Sequence, residues 1–539
     1  MNTRAPLTLT VITDTHYYSK KLGTSGPAYE KANSKSQLLL KDAAEVLAAC
    51  FEQIKADTRT DIVLLAGDTT TNGDFDSHKE FIEMLRDLKK AGKRVFAITA
   101  THDFQDNGET DSFATGEKVK IPAAKREDLF EMYREFGPDQ AISVHMPSMS
   151  YVAQLADGYR LVALNDDKNL TGKSGISDDC YEWLKAQVED AHKNGQFIIS
   201  MTHHPLIAPS PIYGLIGKND MHGDFDIRRE QYADLGMQFM LTGHTHIHSI
   251  DKYVSKRGNT FYDIATASPI GYPGTIRTIV LDPDKHVVST TTDFVTVKPD
   301  CELVGGNMKD HLSNQLAGMI VDMIKAAAGD TETFATMVTA MSIKKKLIYK
   351  IGWLVKPIAK IINKLKIGTV AKWTKKETGL KKEDWEPIKD ESVLDFIIKM
   401  VLNLYGGDNL YDPDDPHYKI TMGLISIFDS IFNTLHINVR KLIKTADSLY
   451  DFVEPLIHNR GIPAYNTVLP VNHYYAEGEQ GPVPEEKKPE HTISSKKGPA
   501  IIAIGVIALI ILLIPLILVL GCGFIVNQIR FGKKMKINE

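Results

Sequence analysis

Cysteine is scarce in this chain. Cys50, Cys180, Cys301 and Cys522 stand far apart and form no Cys-x-x-Cys pair. That excludes a thiolate zinc cluster and a disulfide framework, and fits a reducing compartment. No large excess of one charge is present either: the net charge is −5 over 539 residues, which excludes a chain that coats nucleic acid by bulk electrostatics. The start lacks a signal peptide. Arg4 is followed only by the brief apolar run Leu7–Ile12, which passes straight into Asp14. Charge is missing altogether from Ala500–Leu520, and the apolar run continues weakly to Val526. At about 1.5 Å per residue that is long enough for a bilayer core of about 30 Å. We therefore expect a transmembrane helix over 499–526, followed by a basic tail at 527–539. Acid is missing from Ile343–Leu365. There Ile343, Leu347, Ile351, Leu354, Ile358, Ile361 and Leu365 recur at helical spacing and lysines fill the opposite face.

What is present reads as a globular protein of two or three domains. Leu7–Ile12 is a strand ending at Asp14-Thr15-His16. Ser36–Lys55 and Ser77–Lys90 have helical periodicity. Between them Asp61–Ala66 is a buried strand ending at Gly67-Asp68. Arg94–Thr99 is a third strand, ending at Ala100-Thr101-His102-Asp103. Then the pattern changes. Tyr151–Leu155 and Tyr159–Leu164 flank Asp157-Gly158, a hairpin signal. Ser177–Asn194 is a helix with Ser177 as N-cap and Gly195 as its stop. Phe197–Met201 ends at His203-His204, and Met237–Leu241 ends at Thr242-Gly243-His244-Thr245-His246. Three further strands, Phe261–Ala265, Ile276–Leu281 and Val287–Thr292, complete a region that is βαβα first and hairpin-rich afterwards. That pattern predicts an α/β fold, a sandwich of two sheets flanked by helices. Beyond Cys301 no strands are expected. We assign 1–300 to the α/β domain, 301–466 to a helical domain carrying the basic amphipathic segment 343–376, and 467–498 to a Pro-, Glu- and Lys-rich linker.

Five strand ends thus deliver polar groups, which is where loop-borne active sites collect. A mixed set of carboxylates and imidazoles suits Mn, Fe or Zn better than Mg or Ca. The set is large enough for two metals about 3.5–4 Å apart that share a carboxylate.

In order and context these residues resemble the calcineurin-like metallophosphoesterase superfamily, whose pattern is Asp-x-His, Gly-Asp, Gly-Asn-His-Asp/Glu, His, then Gly-His-x-His. The resemblance covers roughly Leu7–Phe294 and implies a four-layer α/β/β/α sandwich of two mixed sheets. It also implies the roles. Asp14, His16 and His246 would hold a first metal, Asp68 would bridge, and His203 and His244 would hold a second. His102 would protonate the leaving oxygen, oriented by Asp103. Catalysis would be in-line attack on a phosphodiester or phosphomonoester by a hydroxide bridging the metals. One position departs. The family's ligand Asn is Thr101 here and the Gly before it is Ala100, which leaves the second metal a weaker and shorter oxygen ligand.

Other groups weigh less. His204 is expected to support the site or touch substrate, and His248 to sit on the surface or behind the ligands. Asp166 is placed either against the site or, like Asp167, in a solvated loop. His222 is a further substrate-contact candidate. Asp408, Asp412, Asp414 and Asp415 lack the EF-hand glycine and glutamate spacing and read as a solvated turn. The basic segment has two readings: it lies on an anionic membrane surface, or its apolar stripe packs within the helical domain. It has few aromatics, so nucleic acid is not expected as a partner, and no obligate protein partner is identifiable. The expectation is a tail-anchored, membrane-bound phosphoesterase facing the cytoplasm. The alternative, kept alive by Thr101, is a membrane-bound scaffold or sensor with a degenerate phosphoesterase fold.

Overall fold

The computed structural model describes residues 5–33, 36–169, 173–210, 213, 220–297, 307–339, 349, 356–357, 359–407, 411–434, 448–458 and 461–484. The chain divides into two compact units. The first takes in the chain up to Pro209, then Asn219–Gln315 and Gly461–Glu485, and the second is built mainly from Leu316–Arg460.

In the first unit the strands are β1 (Leu7–Ile12), β2 (Ile62–Ala66), β3 (Arg94–Ile98), β4 (Glu109–Ser112), β5 (Val119–Pro122), β6 (Ala141–His145), β7 (Ser150–Ala156), β8 (Tyr159–Ala163), β9 (Phe197–Met201), β10 (Phe239–Thr242), β11 (Ser249–Val254), β12 (Thr260–Ala265), β13 (Thr275–Asp282), β14 (Val287–Phe294) and β15 (Thr467–Pro470). They form a six-stranded sheet in the order β15-β14-β13-β1-β2-β3, a seven-stranded sheet in the order β11-β12-β10-β9-β8-β7-β6, and the small hairpin β4-β5. Both large sheets are mixed. β1, β2 and β3 run parallel while β13, β14 and β15 run antiparallel. In the second sheet β8, β9, β10 and β12 are the parallel core.

Side chains that alternate along each strand divide the packing. Leu9, Val11, Leu64 and Phe96 of the first sheet meet Tyr151, Leu161, Met201 and Leu241 of the second. The opposite face of the second sheet, with Val162, Leu164 and Met240, is covered by Leu184 and Val188 of the helix Asp178–Lys193 and by Tyr232 of the helix Phe225–Asp234. Each such side chain, fully buried, contributes about 1.5–3 kcal/mol. Ser177 caps Asp178–Lys193 by accepting from the Cys180 amide. Gly195 follows with φ +61°, its amide donating to the His192 carbonyl, so it is the stop that the sequence suggested.

Several elements are absent from the sequence reading, among them β4, β5 and β6. β11 and the helix Phe225–Asp234 lie where no regular structure was expected; that helix is polar, with only Arg228, Tyr232 and Ala233 buried, so it shows no apolar stripe. β15 falls inside the stretch read as a linker. The chain returns after the helical unit to add this strand to the edge of the first sheet, pairing Val288 with Leu469.

The second unit is helical: Thr331–Thr339, Ile367–Thr378, Lys382–Trp385, Val393–Gly406, Pro416–Thr434 and Leu449–Ile457. Much of the basic segment 343–376 lies outside the described residues. Its described end buries Ile362, Ile367, Val370 and Ala371 and exposes Lys366, Lys372, Lys375 and Lys376. There Thr374 and Thr378 pack directly over Gly423, so this part follows the core-packing reading. No helix among the described residues is long and apolar enough to cross a membrane. The segment 499–526, expected to do so, lies outside the described residues.

Candidate metal centre

The parallel strands β1, β2, β3, β9 and β10 all end at one rim of the sandwich, and their terminal loops are tied to one another. The Asp14 amide donates to the Gly67 carbonyl, His16 to Asp68 and Tyr17 to Thr69, at 2.9–3.0 Å. Across the seam, the His203 ring Nδ1 bonds the Ala66 carbonyl at 2.8 Å, and the Gly243 amide donates to the His203 carbonyl at 3.0 Å. The His244 amide donates to Asp14 Oδ2 at 2.9 Å.

Such closeness needs glycine. A Cβ on Gly67, which has φ +94°, would lie 2.7 Å from His203 Nδ1 and 2.8 Å from the Ala100 Cβ. One on Gly243 would lie 2.2 Å from Thr13 Oγ1 and 2.3 Å from Asp14 Oδ2. The motif glycine before His244 is therefore required by close approach. The side-chain residues bear the strain instead: Asp14, His16, Asp68, His244 and His246 all have φ between 42° and 65°. Left-handed backbone is unfavourable for residues with a Cβ and clusters at functional sites. His244 and His246, being left-handed, also lack the alternation of an extended strand.

They enter separate groups. Asp14, His16 and His246 present ligand atoms within 4.8 Å of one another, and so do Asp68, His203 and His244; all six residues are buried. In the first group His246 Nε2 lies 3.3 Å from Asp14 Oδ1 and 3.1 Å from His16 Nε2. Asp68 reaches toward both: its Oδ2 is 3.0 Å from His203 Nε2 and 3.8 Å from His16 Nε2. Thr101 Oγ1 and His244 Nδ1 are buried with no hydrogen-bond partner. Carboxylates, imidazoles and orphaned buried donors of this kind fit a pair of Mn, Fe or Zn ions.

The electrostatics agree. Burial opposes ionisation of Asp14 and Asp68, yet the surrounding imidazoles, His203 foremost, hold both far below the ordinary carboxylate range. Burial would depress His203, but Asp68 and Asp14 push it up to about 10. The site thus favours positive charge placed among its imidazoles, as a cation site must. His246 moves down because burial outweighs Asp14.

His102 sits against this centre. Its amide donates to Asp68 Oδ1 at 2.9 Å, its ring lies edge-on to His16 at 4.9 Å, and its Nδ1 bonds the Thr71 carbonyl at 2.8 Å. The orienting partner at Nδ1 is thus a backbone carbonyl, and the expectation that Asp103 orients the ring needs correcting. Asp103 accepts from Thr69 Oγ1 at 2.6 Å, from the Thr70 amide at 2.8 Å and from the Ala100 amide at 2.8 Å. It clamps the loop after β2 to the loop after β3.

Residues without a motif complete the surroundings. Gln37, fully buried, has its amide 2.8 Å from His246 Nδ1. Asp220 places Oδ1 3.9 Å from His244 Nε2; burial raises its carboxyl and His244 pulls against that. Nothing in the local sequence around either marks it. Asp166 does reach the site, accepting from the His204 amide and bonding His204 Nδ1 at 3.1 Å, while the His204 ring lies 4.1 Å from that of His244. Burial pushes His204 down to about 4 despite Asp166. Asp167 is buried and held by Arg126 at 2.8 Å, so it is no solvated loop residue. His222 is buried, its Nδ1 on the Gly223 carbonyl. His248 is also buried, bonded to Thr292 Oγ1 at 2.9 Å beside Arg277, which corrects its surface reading.

Residues 7–248 match the family model described as calcineurin-like phosphoesterase. No curated protein matches the chain. Similar solved structures include a dimetal phosphatase from Danio rerio, 12% identical, covering 53% of this chain and 95% of that one at a TM-score of 0.38. Purple acid phosphatase PPD1 from yellow lupin (Lupinus luteus) seeds is 11% identical over 55% of this chain and 53% of that one, at 0.31. GAP50, described as the anchor in the inner membrane complex of Plasmodium, is 10% identical over 59% of this chain and 95% of that one, also at 0.31. The family match and the motif resemblance agree: residues 7–248 of this chain are similar to the calcineurin-like phosphoesterases.

Proposed function

We propose that the first unit is a two-metal phosphoesterase that hydrolyses a phosphodiester or phosphomonoester. The observation that carries this reading is the pair of buried ligand groups with Asp68 reaching toward both. Asp14, His16 and His246 would hold one ion and His203 and His244 the other, with Asp68 shared and Thr101 the neutral oxygen of the second. Bound there, the ions would neutralise phosphoryl oxygens and make water a better nucleophile. The chain's own groups do the rest. The His102 amide fixes Asp68. The His102 ring, pinned at Nδ1 by the Thr71 carbonyl, exchanges its proton with the leaving oxygen through Nε2. Asp103 holds the two loops that carry Asp68 and His102 in register.

Hydrolysis of bis-p-nitrophenyl phosphate with added manganese tests the reading. Folded protein without turnover with any divalent metal sinks it. Metal analysis separates it from a scaffold with a degenerate site, which would bind none.

For location, the uncharged run 500–520 supports a membrane anchor. Full-length protein should resist carbonate extraction from membranes, and protein ending at residue 485 should not.

A further inference from the structure

The two histidines of Gly-His-x-His each turn one nitrogen into the ligand cluster and the other toward a residue outside the family motifs. These outer residues differ in charge. His246 Nε2 faces Asp14 and His16, and its Nδ1 meets the neutral amide of Gln37 at 2.8 Å. For Nε2 to offer a lone pair, Nδ1 must carry the proton, and the amide oxygen of Gln37 is the acceptor for it once the amide is turned over. His244 has its buried Nδ1 unpartnered, while its Nε2 faces the Asp220 carboxylate, whose Oδ1 is likewise buried and unpartnered. A histidine that binds metal through one nitrogen donates from the other, and a carboxylate acceptor makes it a more basic and better oriented ligand than an amide does.

We propose that Asp220 is the positioning residue of the second metal. It acts through His244 and supplies from outside the ligand set the charge that offsets Thr101 standing where the family has Asn. The idea rests on the two-metal reading above. It makes the two positions unequal by design: the first has its full ligand set and a neutral backing, and the second has a weakened set and a charged backing.

The test uses full-length protein and cobalt(II), with metal content per chain and visible absorption followed against free cobalt. Asp220→Ala should weaken one of two ions by roughly 10- to 100-fold and leave the other unchanged. Asp220→Asn, which keeps an acceptor oxygen and the residue's shape, should recover part of that loss. Gln37→Ala should weaken the other ion. In a His244→Ala background, Asp220→Ala should cost nothing further. Unchanged binding of both ions, equal weakening of both, or an undiminished effect in that background overturns the role of Asp220 while leaving the phosphoesterase reading intact. Unaltered protein that binds no cobalt overturns both.

Discussion

The two sheets make different contributions to the centre. The first sheet sends in both ligand carboxylates, Asp14 and Asp68, with Asp103 behind them, on loops bound to one another by backbone hydrogen bonds and by the Asp103 clamp. The second sheet sends in His203, His204, His244 and His246, and ties itself to the first through single contacts such as His203 Nδ1 to Ala66 and the His244 amide to Asp14. The ligand carboxylates come from one side and most of the nitrogen from the other, so the centre is also a seam. Its geometry depends on two sheets packing in register, and its carboxylates in turn pull the imidazoles across.

Removing Asp68 is the harshest way to open that seam, since it belongs to one ligand group and its carboxylate lies 3.8 Å from His16 of the other. Asp68→Ala should reduce turnover of bis-p-nitrophenyl phosphate to background and lower metal content, measured on the same samples. His102→Ala should spare the seam. Turnover should fall by roughly 10²- to 10⁴-fold, as for loss of a general acid, with metal content unchanged; loss of metal would make His102 part of the holding machinery instead. Gly67→Ala attacks the seam sterically. The new Cβ strikes His203 and Ala100 at a φ of +94°, and urea denaturation should show about 3 kcal/mol less stability.

The mildest change lies beside the seam, on the second sheet. Burial pushes the Asp167 carboxyl up to about 6, with Arg126 pulling against it. An unfolded Asp titrates near 3.8, so between roughly pH 4 and 6 the folded state holds the extra proton. Stability must therefore fall as pH rises through that window and level off above it. Asp167→Asn should flatten the slope, an effect of about 3 kcal/mol in stability from denaturation followed from pH 4 to 7. An unchanged slope would show that Arg126 keeps Asp167 ionised throughout.

These expectations vary in how far the chain itself announced them. β1, β2, β3, β9 and β10 were legible because each is a short apolar run that stops at a polar turn, and the ligands sit in those turns. The strand ends are local patterns, whereas the division of the ligands into two groups is what the family resemblance implies. Gln37 and Asp220 were not legible, because each meets its histidine only through long-range folding. Asp103 was placed at the right loop but given the wrong partner: adjacency to His102 in sequence says nothing about which groups its oxygens accept from. His248, expected on the surface or behind the ligands, is buried beside Arg277, and no local pattern separates the two positions. β15 escaped because four residues ending in proline show no strand signal until β14 is beside them.

That last strand has a consequence for anyone dissecting the protein. Because Thr467–Pro470 completes the sheet that contains β1, the helical unit is inserted in sequence within the first unit rather than appended to it. A fragment cut after residue 297 would leave the amides and carbonyls of β14 bare, an open edge that recruits other chains. A minimal catalytic fragment should instead delete the helices and splice the return segment back on, keeping residues 461–484.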